Sequence, residues 1–332
     1  MGFTDVEHSN PDLLPIEWSQ QVIKNVAQTS AVMALSQRRT MSTRQARMPA
    51  TAALAGAYWV GNSANDFTDL KQTTSAEWTG KNLIVEELAA LVVIPDAYAQ
   101  DSGFPIWDEV QPQVVEALGR ALDAAVLFGV NKPATWPAAI FDGATAATQT
   151  TAASATEDLA KTAAKSAQKL VQRGYTTNGF AATPGIGWEL VGMRNSQGAP
   201  IYQTDLAGAI NTGLYGFPMR EVTNGSWDPA KALMIHGDWS KSLLGIRQDI
   251  TFTQHPSGVI SDATGKVVAN AMQMDSTIWR AVMRIAWTAA EVATRLGPNP
   301  DTATGKYPFA AVTPAVTPPS DTPAPAPAAA AK

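Results

Sequence analysis

One long stretch carries apolar residues at helical spacing. In "WDEVQPQVVEALGRALDAAVLFG", Val110, Val114, Leu118, Leu122 and Val126 recur every four positions. That spacing predicts a helix of about 20 residues, roughly 30 Å long at 1.5 Å per residue. Asp108 is placed to cap it, Pro112 falls in its first turn, and Gly129 is placed to end it. A second helix is predicted from Glu157 to Arg173, with Ser154 and Glu157 spaced as a capping box and Gly174 beyond its end. A third begins near Thr183 and Pro184. Between Pro49 and Pro95, two extended runs, "AGAYWVGN" and "NLIVEELAALVVIP", flank the polar segment "SANDFTDLKQTTSAEWTGK". The pattern predicts a long two-stranded excursion. Such a ribbon is marginal in water when isolated, so it needs another surface to lean on.

Elsewhere the pattern is weaker. "DGATAATQTTAASATED" reads as a Thr/Ala-rich linker, and from Ala199 to Ile260 short strands alternate with turns such as "TNGS" and "HPSG", a mixed α+β arrangement. "STIWRAVMRIAWTAAEV" fits helical spacing through Trp279, Met283 and Trp287, and strand alternation through Arg280, Val282, Arg284 and Ala286; periodicity leaves both open. Residues 11 to 47 hold a short amphipathic piece followed by Arg38, Arg39, Arg44 and Arg47, and read as an arm. "TPAVTPPSDTPAPAPAAAAK" at the other end is too rich in Pro and Ala to bury a core.

Composition narrows the function. The 332 residues suffice for one large or two ordinary domains. Charged residues make up 16% of the chain, against about 25% in a typical soluble domain, so part of the surface is expected to meet other protein. A net charge of -5 argues against a reader of nucleic acid, whose affinity comes from neutralising phosphates. There is no cysteine, which removes disulfides, thiolate nucleophiles and Cys-based metal sites together. The start lacks a basic and apolar leader, Val6 breaks the myristoylation pattern after Gly2, and the most apolar run, Leu88 to Ile94, is too short for a bilayer span. A soluble protein made in a reducing cytoplasm is expected.

The candidate chemistry thins out on inspection. His236, Asp238 and Ser240 would share one face of a strand, yet a triad needs a nucleophile on a strained turn and the chain has no G-x-S-x-G. A strand end with a polar turn is the expected reading. His236 and His255 lack metal-ligand spacing. Gly185 and Gly187 begin a dinucleotide fingerprint that fails at Leu190, so they are read as packing at a helix start. "NGS" at Asn224 is read as a turn, and Glu86 and Glu87 point to opposite faces of a strand. No catalytic, cofactor or metal residue is assigned. The arginine cluster is read as partner-facing. Trp59, Trp78, Trp107 and Trp136 lie in segments too thin for a private core; interface anchoring and ordinary packing both remain open for them.

Taken in order, these pieces resemble the major capsid protein of tailed phages with the HK97-like fold, across residues 12 to 296. The resemblance is carried by "AYWVGN" and "KQTTSAEW", by "PIWDEVQPQVVEALGRALDAAVLFG", and by "LYGFPM" followed by "IHGDWSKSLLGIRQDI". It implies an α+β chain divided into an N-terminal arm (1–47), an extended hairpin loop with peripheral-domain strands (48–95), a spine helix (96–132), an axial domain (133–268), a return to the peripheral domain (269–296) and a Pro/Ala-rich tail (297–332). Met283 to Val292 would then be a strand. The implied function is self-assembly into an icosahedral head shell around double-stranded DNA, in hexamers and pentamers, with no cofactor. Partners implied are a separate scaffolding protein, a portal and decoration proteins, with no membrane. Arg38, Arg39, Arg44, Arg47, Trp59, Lys71, Trp78, Asp238 and Arg247 would be assembly contacts, and hinges would sit at Gly56, Gly61 and Gly80. Some relatives cross-link a Lys to an Asn; Lys71 is near the loop tip, and non-covalent shells are expected. Two alternatives stand beside this: an encapsulin-type bacterial shell, and a soluble hydrolase using His236, Asp238 and Ser240.

Overall fold

The computed structural model describes residues 30–57, 74, 76–97, 106–154, 157–194, 213–296 and 307–315. A sheet of four strands, a sheet of six and one long helix organise them. The four-stranded sheet contains β1 (Gln37–Thr40), β4 (Glu86–Pro95), β10 (Ser242–His255) and β13 (Ser276–Ala289) in the order β1-β10-β13-β4. β1 runs parallel to β10; the other neighbours are antiparallel, with Leu244 opposite Trp287 and Met283 opposite Leu88.

The long helix, α2 (Ile106–Phe128), lies on one face of this sheet. Val114, Leu118, Leu122 and Val126, the residues that predicted it, join Leu244, Met283, Ile285 and Trp287 in one buried cluster. It begins two residues before Asp108, which is therefore inside the helix and not its cap. It stops at Gly129, whose φ of 73° is cheap for glycine and costly for other residues.

The stretch left open by periodicity is a strand from Ser276 to Ala289, so the strand implied for Met283 to Val292 is present as far as Ala289 and stops three residues short. Its period-2 signal is blurred because both faces are covered near its end. α2 packs on one face, and on the other Ala286 joins Leu243, Met41, Leu83 and Val85 in a small core. That second core seats the base of a two-stranded ribbon, β2 (Gln45–Ala53) paired antiparallel with β3 (Glu77–Ile84). The ribbon starts inside the arginine-rich segment, and β1 is already a strand of the sheet. Residues 37 to 47 are thus part of the folded body and not a free arm. "YWVGN" lies outside the described residues.

The six-stranded sheet has the order β5-β14-β9-β6-β8-β7, comprising β5 (Thr150–Ala152), β6 (Gly179–Ala182), β7 (Gly213–Leu214), β8 (Phe217–Glu221), β9 (Met234–Gly237) and β14 (Phe309–Thr313). Alternation sorts its side chains. Ala181, Ile235, Phe309 and Ala311 face the cluster shared with α2, while Phe180, Ala182, Met234 and Val312 face a second core. That second core is roofed by α4 (Leu159–Gln172) and α5 (Ile186–Gly192) through Leu159, Ala163, Ile186 and Leu190. A small hairpin, β11 (Val259–Ser261) with β12 (Val267–Asn270), connects β10 to β13.

Three expectations are corrected here. The linker contains α3 (Ile140–Ala146) and β5, built from Ala and Thr that pack without bulk. The capping box before α4 does not form. Asp158 is the N-cap, and Glu157 instead pairs with Lys161 and Lys165. Finally, residues 309–313, within the stretch 297–332 assigned to the tail with the resemblance, form β14, which is buried between β5 and β9.

Candidate assembly surfaces and buried anchors

β9 delivers His236 into the second core, where the ring is fully buried. Its Nδ1 lies 3.1 Å from Thr177 Oγ1 and its Nε2 lies 2.8 Å from Ser166 Oγ on α4. Both nitrogens are thereby occupied, and neither serves Ser240. Burial lowers the His236 pKa to about 4, so the ring is neutral at physiological pH. Asp238 caps a single 3-10 turn: its Oδ1 accepts from the Ser240 amide at 3.1 Å, from the Ser240 hydroxyl, and from Asn178 Nδ2 at 3.1 Å. Gly237 separates the two groups, and its backbone passes so close to β14 that a Cβ would sit 2.3 Å from Pro308 O. The three residues form a strand end and a turn, with no base aimed at a nucleophile. Glu221 accepts from the amides of Gly185 and Gly187, at 3.1 and 2.7 Å, which assigns those glycines to the start of α5. Among the described residues, no group of three or more His, Asp or Glu could hold a metal ion.

The polar centre that sequence reading passed over is Asp123, fully buried on α2. Its Oδ1 accepts from Ser30 Oγ at 2.6 Å and the Val32 amide at 3.1 Å. Its Oδ2 accepts from the Ala31 amide at 3.1 Å and Asn224 Nδ2 at 2.8 Å. Burial raises its pKa above the usual carboxylate range, while the four donors act the other way. A visible signal existed: Asp123 interrupts the stripe Val115, Gly119, Leu127 at four-residue spacing, a second apolar line beside the first.

Arg38, Arg39, Arg44, Arg47 and Arg247 are exposed. Arg38 and Arg39 project from β1, an edge strand, and Arg47 lies across Gly80, so that glycine makes room for a guanidinium. A cleft of about 310 Å³ is lined by Arg44, Arg247, Arg284, Glu86, Glu87 and Val85. Arg284 Nε donates to Glu87 at 3.0 Å, leaving more positive than negative charge around the opening. Glu86 accepts from Thr135 Oγ1 at 2.8 Å, so the two glutamates do diverge.

The tryptophans divide. Trp136 is buried and donates to Ile84 O at 3.2 Å, and Trp107 stacks on the sheet; both pack within their own chain. Trp78 on β3 is 69% exposed. Trp59 and Lys71 lie outside the described residues. Val259, Val267, Val268, Met272 and Met274 expose a further apolar patch on and beside the β11–β12 hairpin.

The described residues form an α+β body that bears an exposed ribbon and apolar and cationic surface patches. The model of the phage capsid family matches residues 11–291, and the chain belongs to that family. Chains with similar folds occur in solved structures from Microbacterium phage Oxtober96 (35% identity, TM-score 0.74, covering 86% of this chain and 91% of that one) and Mycobacterium phage Adephagia (30%, 0.74, 87% and 91%). Mycobacterium phage Cain provides another at 29% identity, with a TM-score of 0.75 and coverage of 87% and 92%. Comparison with curated protein sequences gives no significant match. The fold is HK97-like and the protein is a capsid shell subunit, as the resemblance implied; neither the encapsulin-type shell nor the hydrolase is favoured.

Proposed function

We propose that this subunit assembles as hexamers and pentamers into an icosahedral head shell that encloses double-stranded DNA inside a bacterial host. The carrying observation is the β2–β3 ribbon. It is tied to its own chain by its base and one flank: Ala293 N donates to Thr51 O at 2.9 Å, Lys81 pairs with Glu291 at 2.7 Å, and Arg295 reaches Ala55 O at 2.9 Å. Level with these ties, Trp78 and its neighbours Glu77 and Thr79 on β3 are nevertheless exposed, and two strands with an uncovered aromatic are not self-sufficient in water. A neighbouring copy supplies the missing cover.

In this reading the ribbon is the extended loop, α2 the spine helix, the six-stranded sheet the axial domain and the four-stranded sheet the peripheral domain; β10 thereby leaves the expected axial range 133–268, because it pairs with β1 and β13. Arg38, Arg39, Arg44, Arg47, Arg247 and Trp78 meet neighbouring copies, with Trp59 and Lys71 expected there too. Asp238 spends its hydrogen bonds on its own turn and is the weakest member of that set. A scaffolding protein, a portal and decoration proteins complete the particle, whose subunits are held without covalent links. The test is size-exclusion chromatography and electron microscopy of the expressed protein. Shells or capsomers are expected; a stable monomer under all assembly conditions would overturn the reading.

A further inference from the structure

Residues 30–36 form a plug fixed at both ends by buried polar contacts. At the first end, α1 (Ala31–Leu35) presents its opening amides and Ser30 to Asp123, in the middle of α2. At the other, Ser36 Oγ lies 2.7 Å from Ser242 Oγ on β10, which accepts from Trp287 Nε1 of β13 at 3.0 Å. Between them Val32 and Met33 are sunk in the main core. The Asp123 carboxylate also holds Asn224, which is itself fixed by the amide and hydroxyl of Ser226. One side chain therefore ties together the long helix, the first described segment and the loop after β8.

The number of bonds matters. A carboxylate has about four lone-pair sites, and here each receives a donor. An amide in its place offers fewer acceptor sites and points its own N–H groups at donors. An apolar residue would suit the stripe of Val115 and Leu127 but would strand four donors in the core. The four bonds together hold the plug in one geometry against the helix.

We infer that Asp123 is a positioning residue for assembly: by locking residues 30–36 to the long helix, it fixes the start of β1 and so the placement of the exposed Arg38 and Arg39 against a neighbouring copy. The inference rests on the shell reading proposed above.

The experiment compares Asp123→Asn, Ser30→Ala and Asn224→Ala with the unaltered full-length chain, by hydrogen exchange on free capsomers and electron microscopy of assembled particles. Val126→Ala serves as a control for loss of core stability without loss of the anchor. Asp123→Asn is expected to speed exchange at Ala31, Val32 and Met33 at least tenfold, leave the amides of β13 protected, and cut uniform closed shells at least fivefold in favour of irregular particles. Ser30→Ala and Asn224→Ala should move both readouts the same way by smaller factors, and they carry the test if Asp123→Asn does not fold. Val126→Ala should keep its particles uniform. Uniform shells at full yield from the anchor variants, or equally irregular particles from Val126→Ala, overturn the inference. Failure of the unaltered chain to form shells would overturn the shell reading first, and would be recognised as such.

Discussion

Trp107 stacks on Trp279 with ring centroids 3.9 Å apart and planes 16° from parallel, and Phe252 meets its edge at 5.2 Å. The pair pins the first turn of α2 to β10 and β13, the two inner strands of the four-stranded sheet. Trp107→Ala removes the stack and is expected to destabilise the subunit by about 2–3 kcal/mol, somewhat less than for a fully buried tryptophan. Urea denaturation, with an unchanged slope and a lower midpoint, would show this.

Acid should loosen the six-stranded sheet. His236 has a folded pKa of about 4 against 6.5 in the open chain, so unfolded chains bind the proton more readily. The contribution is complete above pH 6.5 and is lost as the pH falls from there through about 4. Its full size is about 3 kcal/mol on the general scale of 1.4 kcal/mol per pH unit. In His236→Gln this part of the pH dependence should vanish, read as a flatter plot of unfolding free energy between those limits.

Gly237→Ala should be poorly tolerated. The new methyl group would meet Pro308 O and Phe309 Cα, both backbone atoms, at 2.3 and 2.7 Å. Strand β14 would have to move away from β9, at a cost of about 1–3 kcal/mol or more. Thermal melting with near-ultraviolet circular dichroism, which senses Trp239 against Phe309, would register the displacement.

Phe309→Ala probes the same strand from its own side. The ring is fully buried, 5.1 Å from the Trp239 ring and 5.8 Å from Tyr307. A loss of about 3–5 kcal/mol is expected, and soluble yield together with urea midpoint would report it.

The charged cleft calls for the opposite outcome. Arg44→Glu combined with Arg247→Glu alters two exposed side chains and should change subunit stability by less than about 0.5 kcal/mol. Shell yield should fall sharply, measured by sedimentation of particles from free subunits. Normal yield would remove these arginines from the assembly surface.

What could be read in the chain tracks how each segment is covered. The long helix was legible because one stripe of it faces a core and the rest does not, giving a clean four-residue repeat. Strand β13 was ambiguous because partners on both sides of its second half erase alternation. Strand β14 was invisible: five small or apolar residues beside a Pro/Ala-rich run carry no period, and burial there comes from neighbours distant in sequence, Thr150 to Ala152 and Met234 to Gly237. Asp123 was missed for a related reason. A carboxylate within an apolar stripe looks like an exception until its four donors, drawn from positions near 31 and 224, are brought beside it. His236, Asp238 and Ser240, by contrast, were readable as a strand end and a polar turn, and the structure shows what those groups bond.

Because β14 fills the slot between β5 and β9, the six-stranded sheet stays open beside its edge strand β5 until translation has passed residue 313. A polypeptide cut short earlier keeps its long helix and most of its surface, yet carries two bare strand margins in place of a closed layer. Such products are marked for aggregation or proteolysis before they can join a growing lattice. Closure of this layer is therefore expected to wait until the last described strand has been made.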